Sequence, residues 1–268
     1  MSSIIIQRDQ VQDIPALHLV KQSLQHERLP FILFIHGYTS AKEHNLHYAY
    51  LLAEKGFRVV LPDVKFHGER VVETETELHM QFWRIVLHTI HELNTLKEFY
   101  EQQNLMDHER IGVVGTSMGG IITLGALTQY QWIKTAVSLM GNPAYGSFFQ
   151  MQIQHLKQQG INIPFTDEQL AEQMNQLKPY DLSTQLDKLA NRPLLFWHGK
   201  KDQVVPFAPA YKFYEEILPL YAENPERIHF EADEHAGHKV SRKGVLLTVE
   251  WFEKHLLHNV RNKVETSL

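Results

Sequence analysis

The run Ile111-Gly-Val-Val-Gly115 passes directly into Thr116-Ser117-Met118-Gly119 and then into Gly120-Ile-Ile-Thr-Leu-Gly-Ala-Leu127. A short β-branched run of this kind reads as a strand buried on both faces, and the apolar segment after it as a buried helix. The Gly-x-Ser-x-Gly turn between them must reverse the chain sharply, which holds its apex residue in strained backbone geometry. Glycines at 115 and 119 relieve the crowding, because a side chain at either would collide with the neighbouring strand or helix. The serine between them is pushed out where a small molecule can reach it, so Ser117 is the candidate nucleophile. Ile111 to Leu127 is almost continuously apolar, yet it holds five glycines and falls short of the roughly twenty residues that a membrane-spanning helix needs. We read it as core.

The rest of the chain supplies what such a turn requires. Strand candidates follow one another at Ser3 to Gln7, Ala16 to Lys21, Phe31 to His36, Phe57 to Leu61, Ile111 to Gly115, Thr135 to Met140, Pro193 to His198 and Arg227 to Glu231. The first two are short, close together and partly alternating, which suits an antiparallel start. The later ones are apolar throughout and separated by helix-length segments, as parallel sheets demand. The expected fold class is therefore α/β: an eight-stranded, mostly parallel sheet with helices on both faces.

Ser40-Ala-Lys-Glu43 and Thr74-Glu-Thr-Glu77 both have capping-box spacing. The first predicts a helix ending near Gly56, the second a helix from about Glu77 to beyond Phe99 with Leu78, Phe82, Ile85, Leu87 and Ile90 on its apolar face. Phe207 to Leu218 and Val245 to Leu257 predict two more. Between the sixth and seventh strands, residues 141–190 are richer in glutamine and less apolar. Thr166-Asp-Glu-Gln169 starts a helix there and Pro179 stops it. Within a single domain spanning residues 1–268, this insertion predicts a small helical cap. Tyr145, Phe148, Phe149 and Met151 either line a pocket beneath it or simply fasten it to the sheet.

Composition narrows the chemistry. A chain of 268 residues suits one large α/β domain. The formal net charge of −5, without a long basic run, argues against nucleic acid or an anionic membrane surface as partners. Cysteine is absent, which excludes a disulfide framework, a thiolate zinc site and a cysteine nucleophile, and is compatible with the reducing cytoplasm. The N-terminal Met-Ser-Ser-Ile-Ile-Ile-Gln-Arg-Asp shows no secretory pattern, so a cytoplasmic location is expected.

A serine nucleophile needs a base to take its proton and an acid to orient that base. Gly199-Lys-Lys-Asp202 follows the strand Leu194 to His198, and Glu231-Ala-Asp-Glu-His235-Ala-Gly-His238 follows the last strand, offering one carboxylate and two histidines. In this order the chain resembles the α/β-hydrolase superfamily, and within it the small bacterial carboxylesterases related to the prolyl-oligopeptidase-like and dienelactone-hydrolase-like branches. The resemblance covers nearly the whole chain and is weakest in the cap. It rests on His36-Gly37-Tyr38-Thr39, on Pro62-Asp63 through His67-Gly68-Glu69-Arg70, on the Ser117 turn, on His198-Gly199-x-x-Asp202-x-x-Val205-Pro206 and on Ala236-Gly237-His238.

The resemblance implies Asp202 as the orienting acid and His238 as the base, with His235 left to loop packing or solvent. Asp233 and Glu234 stand close enough to compete for the imidazole. It also implies an oxyanion hole from the backbone N–H groups of Tyr38 and Met118. His36 reads as a support for its loop. Tyr38, His67, Tyr145 and Phe148 are candidate substrate contacts, although His67 and Arg70 also read as loop scaffolding. The implied activity is hydrolysis of short- to medium-chain carboxylic esters through an acyl-enzyme, with no cofactor and a small-molecule ester as partner. The same residues leave open a peptidase or thioesterase of this fold, or a non-catalytic binding relative; Glu69 or cap carboxylates could anchor a peptide amine.

Seventeen histidines raise the question of a metal. His44-x-x-His47, His88-x-x-His91 and His235-x-x-His238 could each pair two ligands, but there is no His-Glu-x-x-His and no cysteine partner, so no metal is expected. Neither Gly-x-Gly-x-x-Gly nor a Walker loop occurs. A serine at the turn also argues against dehalogenase chemistry, which by resemblance would place an aspartate there.

Overall fold

The computed structural model describes residues 3–72 and 78–258. Its eight strands are β1 (Ile4–Val11), β2 (Ile14–Lys21), β3 (Leu29–Ile35), β4 (Arg58–Pro62), β5 (Met106–Thr116), β6 (Thr135–Leu139), β7 (Leu194–Gly199) and β8 (Ile228–Asp233). They form one sheet in the order β1-β2-β4-β3-β5-β6-β7-β8. β1 and β2 are an antiparallel hairpin, β2 runs antiparallel to β4, and every later neighbour is parallel. The hairpin is longer than its sequence suggested because Gln12, at φ 54°, and Asp13 make a tight turn that lets pairing run from Val11↔Ile14 outward.

The helices are α1 (Leu46–Glu54), α2 (Phe82–Gln102), α3 (Met118–Gln129), α4 (Tyr145–Gln158), α5 (Asp167–Leu177), α6 (Phe207–Ile217) and α7 (Arg242–Phe252). The parallel strands are apolar throughout because alternate residues serve two cores. Phe31, Leu33, Val113, Ala136 and Phe196 meet α2, α3 and α6 on one face; Ile32, Phe34, Val114, Val137 and Trp197 meet α1 and α7 on the other. Among the described residues no helix is long and apolar enough to cross a membrane.

Two helix starts differ from expectation. The Ser40–Glu43 capping box does not form: Ser40 Oγ pairs with His44 Nδ1 at 3.0 Å, while the Lys42 amide donates to buried Asp63 Oδ1 at 3.0 Å. That carboxylate draws the chain into a 3-10 turn at Lys42–Asn45 before α1 begins. The Thr74–Glu77 box lies outside the described residues, and α2 begins at Phe82 after a 3-10 turn at Leu78–Gln81. Its buried stripe runs through Trp83, Val86 and Leu93 beside Ile85 and Ile90, whereas Leu87 is only half-buried. The α5 box forms as read, with Gln169 N donating to Thr166 Oγ1 at 3.3 Å and Thr166 N to Gln169 Oε1 at 2.8 Å. The last helix starts earlier than Val245 and loosens into a π-helical turn at Glu253–His258.

Candidate active site

The strand order reverses around β3, so the loops leaving β3 and β5 stand side by side at the carboxyl edge of the sheet, where open α/β folds form their crevice. Ser117 ends β5 with φ 55° and ψ −115°, a region that costs a non-glycine residue about 1–3 kcal/mol. The surroundings enforce it. Ser117 N donates to Leu139 O at 2.7 Å, and Ile121 N donates to Ser117 O at 3.0 Å. A Cβ on Gly119 would stand 2.1 Å from Ile35 O, and one on Gly115 2.2 Å from the Gly119 carbonyl carbon. Only glycine at both positions lets α3 leave β5 so close to β3.

Two more loops converge on this serine. His238 Nε2 lies 2.8 Å from Ser117 Oγ, and His238 Nδ1 lies 2.7 Å from Asp202 Oδ2. The carboxylate acceptor puts the imidazole proton on Nδ1, which leaves the Nε2 lone pair facing the serine hydroxyl. Asp202 is held from all sides: Oδ1 accepts the amides of Val204 at 2.9 Å and Val205 at 3.0 Å. His198 Nε2 stands 3.3 Å from Oδ2 and 2.9 Å from Val205 O. Burial pushes this carboxyl up, but hydrogen bonds from His198, His238 and the Val204 amide outweigh it and hold the group well below the usual carboxylate range. Asp202 is thus an anion at neutral pH. In the sequence His198 is visible only as part of a loop motif; its contact with the carboxylate is set by the fold.

The rival groups are occupied elsewhere. His235 is exposed. Asp233 Oδ1 accepts the amides of His235 and Ala236, both at 3.1 Å, and Glu234 pairs with Lys200 at 2.7 Å. That Asx turn swings His238 inward and His235 outward.

On the opposite side of the serine lies the loop after β3. A Cβ on Gly37 would be 3.5 Å from Ser117 Cβ, which brings the Gly37–Tyr38 peptide beside this serine. Among the described residues neither Tyr38 N nor Met118 N donates a hydrogen bond within the protein. Tyr38 is half-buried, its ring edge-on to His67 at 5.5 Å and to Phe82 at 5.9 Å. His67 is buried with Nδ1 donating to Lys65 O at 2.9 Å, and its Nε2 has no partner among the described residues. Arg70 is scaffolding: it forks onto Glu92 at 2.6 and 3.0 Å and reaches Asp13 at 3.1 Å. Buried Lys42 clips the two loops together, its Nζ 2.5 Å from Asp63 Oδ2 and 2.7 Å from Glu69 Oε1.

The insertion between β6 and β7 carries α4 and α5. Tyr145 is fully buried, and its hydroxyl donates to Ile121 O at 2.6 Å, fastening α4 to α3 rather than facing a pocket. Phe148 is buried 6.0 Å from the Trp83 ring, and Met151 points outward at 37% exposure. Two adjoining clefts, of about 480 and 170 Å³, open between the start of α2 and this insertion, sharing Met80, Phe165 and Gln173. Of the expected aromatic lining only Phe149 reaches them. Trp83, Met80 and Phe165 were missed because their sequence surroundings look like ordinary helix and loop. Among the described residues no group of three or more His, Cys, Asp or Glu is arranged to hold a metal ion. His88 instead pairs with Glu92 at 3.0 Å and His91 with Tyr180 at 2.9 Å.

These buried groups make stability depend on pH in two stages. Burial lowers His36 and His255 from 6.5 to about 4, so each stays neutral in the fold while the unfolded chain takes a proton. Their favourable contribution is complete above 6.5 and is lost as pH falls toward 4, by on the order of 3 kcal/mol each. Burial raises Asp63, but hydrogen bonds from Lys42 and the Glu69 amide outweigh it. Its stabilisation, like that of Asp202, persists above the ordinary carboxylate value and disappears below it. Thermal melts should therefore show Tm falling as pH is lowered from 6.5 towards 4.5. His255→Leu should flatten that slope; an unchanged slope would contradict the assignment for His255.

Residues 43–259 match the prolyl oligopeptidase family, a span that includes Ser117, Asp202 and His238. The chain belongs to the prolyl oligopeptidase family. It is 56% identical over 254 residues to "Putative esterase YitV" of Bacillus subtilis (strain 168), covering 94% of this chain and 100% of that protein. It is 28% identical over 256 residues to "Esterase YjfP" of Escherichia coli (strain K12), with 94% and 100% covered. Among solved structures, TT1662 from Thermus thermophilus shares the fold with a TM-score of 0.74 at 20% identity, covering 95% of this chain and 99% of that one. The chain is thus an α/β-hydrolase and, by family, a serine hydrolase.

Proposed function

We propose that this protein is a carboxylesterase acting on short- to medium-chain carboxylic esters, with Ser117, His238 and Asp202 as its triad. The observation that carries the reading is the unbroken relay Ser117 Oγ, His238 Nε2, His238 Nδ1, Asp202 Oδ2, with contacts of 2.8 and 2.7 Å. As His238 Nε2 takes the hydroxyl proton, Ser117 Oγ bonds to the ester carbonyl carbon, and the resulting oxyanion accepts the amides of Tyr38 and Met118. Collapse breaks the carbon–alkoxy bond, and His238 returns the proton to the departing alcohol. Water, deprotonated by the same imidazole, then releases the carboxylic acid and restores Ser117. Asp202 stabilises the imidazolium in both halves. Tyr38, His67 and Phe148 remain candidate substrate contacts, Tyr38 because it is half-buried and follows Gly37 beside Ser117.

The family's name favours amide hydrolysis as the second reading. Against it, one of the carboxylates considered for anchoring a peptide amine, Glu69, is already 2.7 Å from Lys42 Nζ, which leaves only those of the cap for that role. Initial rates on p-nitrophenyl esters from acetate to dodecanoate, beside matched thioesters and p-nitroanilides, test the choice. Esters should be turned over fastest, with an optimum among the shorter acyl groups, and a fluorophosphonate should label the Ser117 peptide. Faster anilide or thioester turnover would move the protein to that class, and the absence of both turnover and label would make it a binding relative.

A further inference from the structure

His36 lies outside the relay just described, yet its two hydrogen bonds are unusually informative. It is fully buried at the end of β3, between that strand and the loop after β4. Nε2 accepts the Val64 amide at 3.0 Å, and Nδ1 lies 2.8 Å from Gly37 O. Both partners are backbone groups with fixed roles, so the tautomer is settled: Nε2 carries a lone pair and Nδ1 a proton. Gly37 O also receives Ser40 N at 3.2 Å. The peptide that owns this carbonyl owns a second polar group, the N–H of Tyr38. There is no cis peptide among the described residues, and in a trans peptide C=O and N–H point in opposite directions across one plane.

We propose that His36 is the positioning residue of the oxyanion hole: by holding the Gly37 carbonyl it turns the Tyr38 N–H toward Ser117. The inference rests on the reading of Tyr38 N–H as an oxyanion donor. Gripping the carbonyl fixes the only rotation that would swing that N–H out of line. It also polarises the amide, because a carbonyl that accepts hydrogen bonds makes its own N–H a stronger donor. The amide of Val64 completes the chain by keeping the imidazole proton on Nδ1. The arrangement is therefore Val64 N–H to His36, His36 N–H to the Gly37 carbonyl, and the Tyr38 N–H left free beside the nucleophile.

The two ring nitrogens can be tested separately. Asparagine places its amide nitrogen near the Nδ1 position, so His36→Asn keeps a donor for Gly37 O while losing the acceptor for Val64. His36→Gln places its oxygen near Nε2, keeping that acceptor while losing the donor. His36→Gln is expected to lower kcat about 10²-fold, the scale of one lost oxyanion donor, with KM within about threefold. It should weaken inhibition by a trifluoromethyl ketone, whose adduct is an oxyanion, by a similar factor. His36→Asn should keep kcat within about tenfold of the parent.

Equal losses in both variants, tracking a fall in Tm, would show a merely structural histidine and overturn the proposal, as would a fully active His36→Gln. If the substitutions do not fold, the unmodified protein still decides by NMR. The His36 ring should carry its proton on Nδ1, and that resonance should move when the ketone adduct forms. An Nε2 proton, or a resonance that the adduct leaves in place, would reject the proposal. Failure of the esterase reading is separable, because then the unmodified protein would neither hydrolyse esters through Ser117 nor bind the ketone; that outcome removes both.

Discussion

Ser117→Ala is expected to lower kcat on the best p-nitrophenyl ester by about 10⁴ to 10⁶-fold while leaving KM within a few fold. On the proposed mechanism the substitution deletes the atom that would form the acyl-enzyme, and among the described residues no other side-chain hydroxyl hydrogen-bonds His238 Nε2 to take its place. Whatever rate survives comes from the oxyanion amides and substrate positioning. Stability should change little. Alanine inherits the backbone at φ 55° with the same Cβ as serine, and the turn is enforced by Gly115, Gly119 and the Leu139 carbonyl rather than by the hydroxyl. Purified variant and parent, compared for turnover, Tm and fluorophosphonate labelling, separate chemistry from folding. Activity that survived in a folded, unlabelled variant would remove Ser117 from the mechanism.

The turn could be read in advance because its constraints are local. A buried strand, an apolar helix and two glycines at fixed offsets leave the chain few choices, and apolar strands separated by helix-length segments point to a mostly parallel sheet, whereas the order of the strands comes from the structure. Asp202 and His238 were legible as the loops after the seventh and eighth strands for the same reason, since a parallel sheet delivers every carboxyl end to one edge. Their mutual distances were not local information. Choosing between His235 and His238 depended on whether Asp233 would fold its side chain back onto two amides, and only the resemblance to known hydrolases pointed to His238 beforehand.

Where sequence reading fell short, a long-range polar contact had overridden a local rule. Ser40 and Glu43 have the spacing of a capping box, but Asp63, about twenty residues on, captures the Lys42 amide and ammonium instead. A buried carboxylate must be paired at almost any local cost, so helix capping yields. Tyr145 looked suitable for a pocket because it is aromatic and opens the insertion. Its hydroxyl finds the Ile121 carbonyl in α3, and a ring tied at its polar end inside the core belongs to the fastening. The lining of the two clefts comes partly from α2, an element more than fifty residues earlier in the chain, and no periodicity in the insertion could reveal it.

His238→Ala should abolish turnover nearly as completely as loss of the serine, whereas His235→Ala should keep kcat/KM within about threefold of the parent. The three-residue spacing makes this a strict comparison: both variants remove an imidazole from one loop. Of the two, His238 lies between Ser117 and Asp202, and on the proposed mechanism its removal leaves the hydroxyl without a base. Asp202→Asn should fall between them in severity but far closer to His238→Ala. An asparagine amide facing Nδ1 favours the opposite tautomer, with the proton on Nε2 and no lone pair for the serine. His198 would remain beside position 202 with its Nε2 proton still bound to the Val205 carbonyl, so the loop should keep its shape and the loss should appear in kcat rather than in Tm. The converse pattern, with His235→Ala inactive and His238→Ala active, would require the loop after β8 to be rebuilt in solution so that Asp233 releases the two amides it holds. Amide exchange at His235 and Ala236 would detect that release directly.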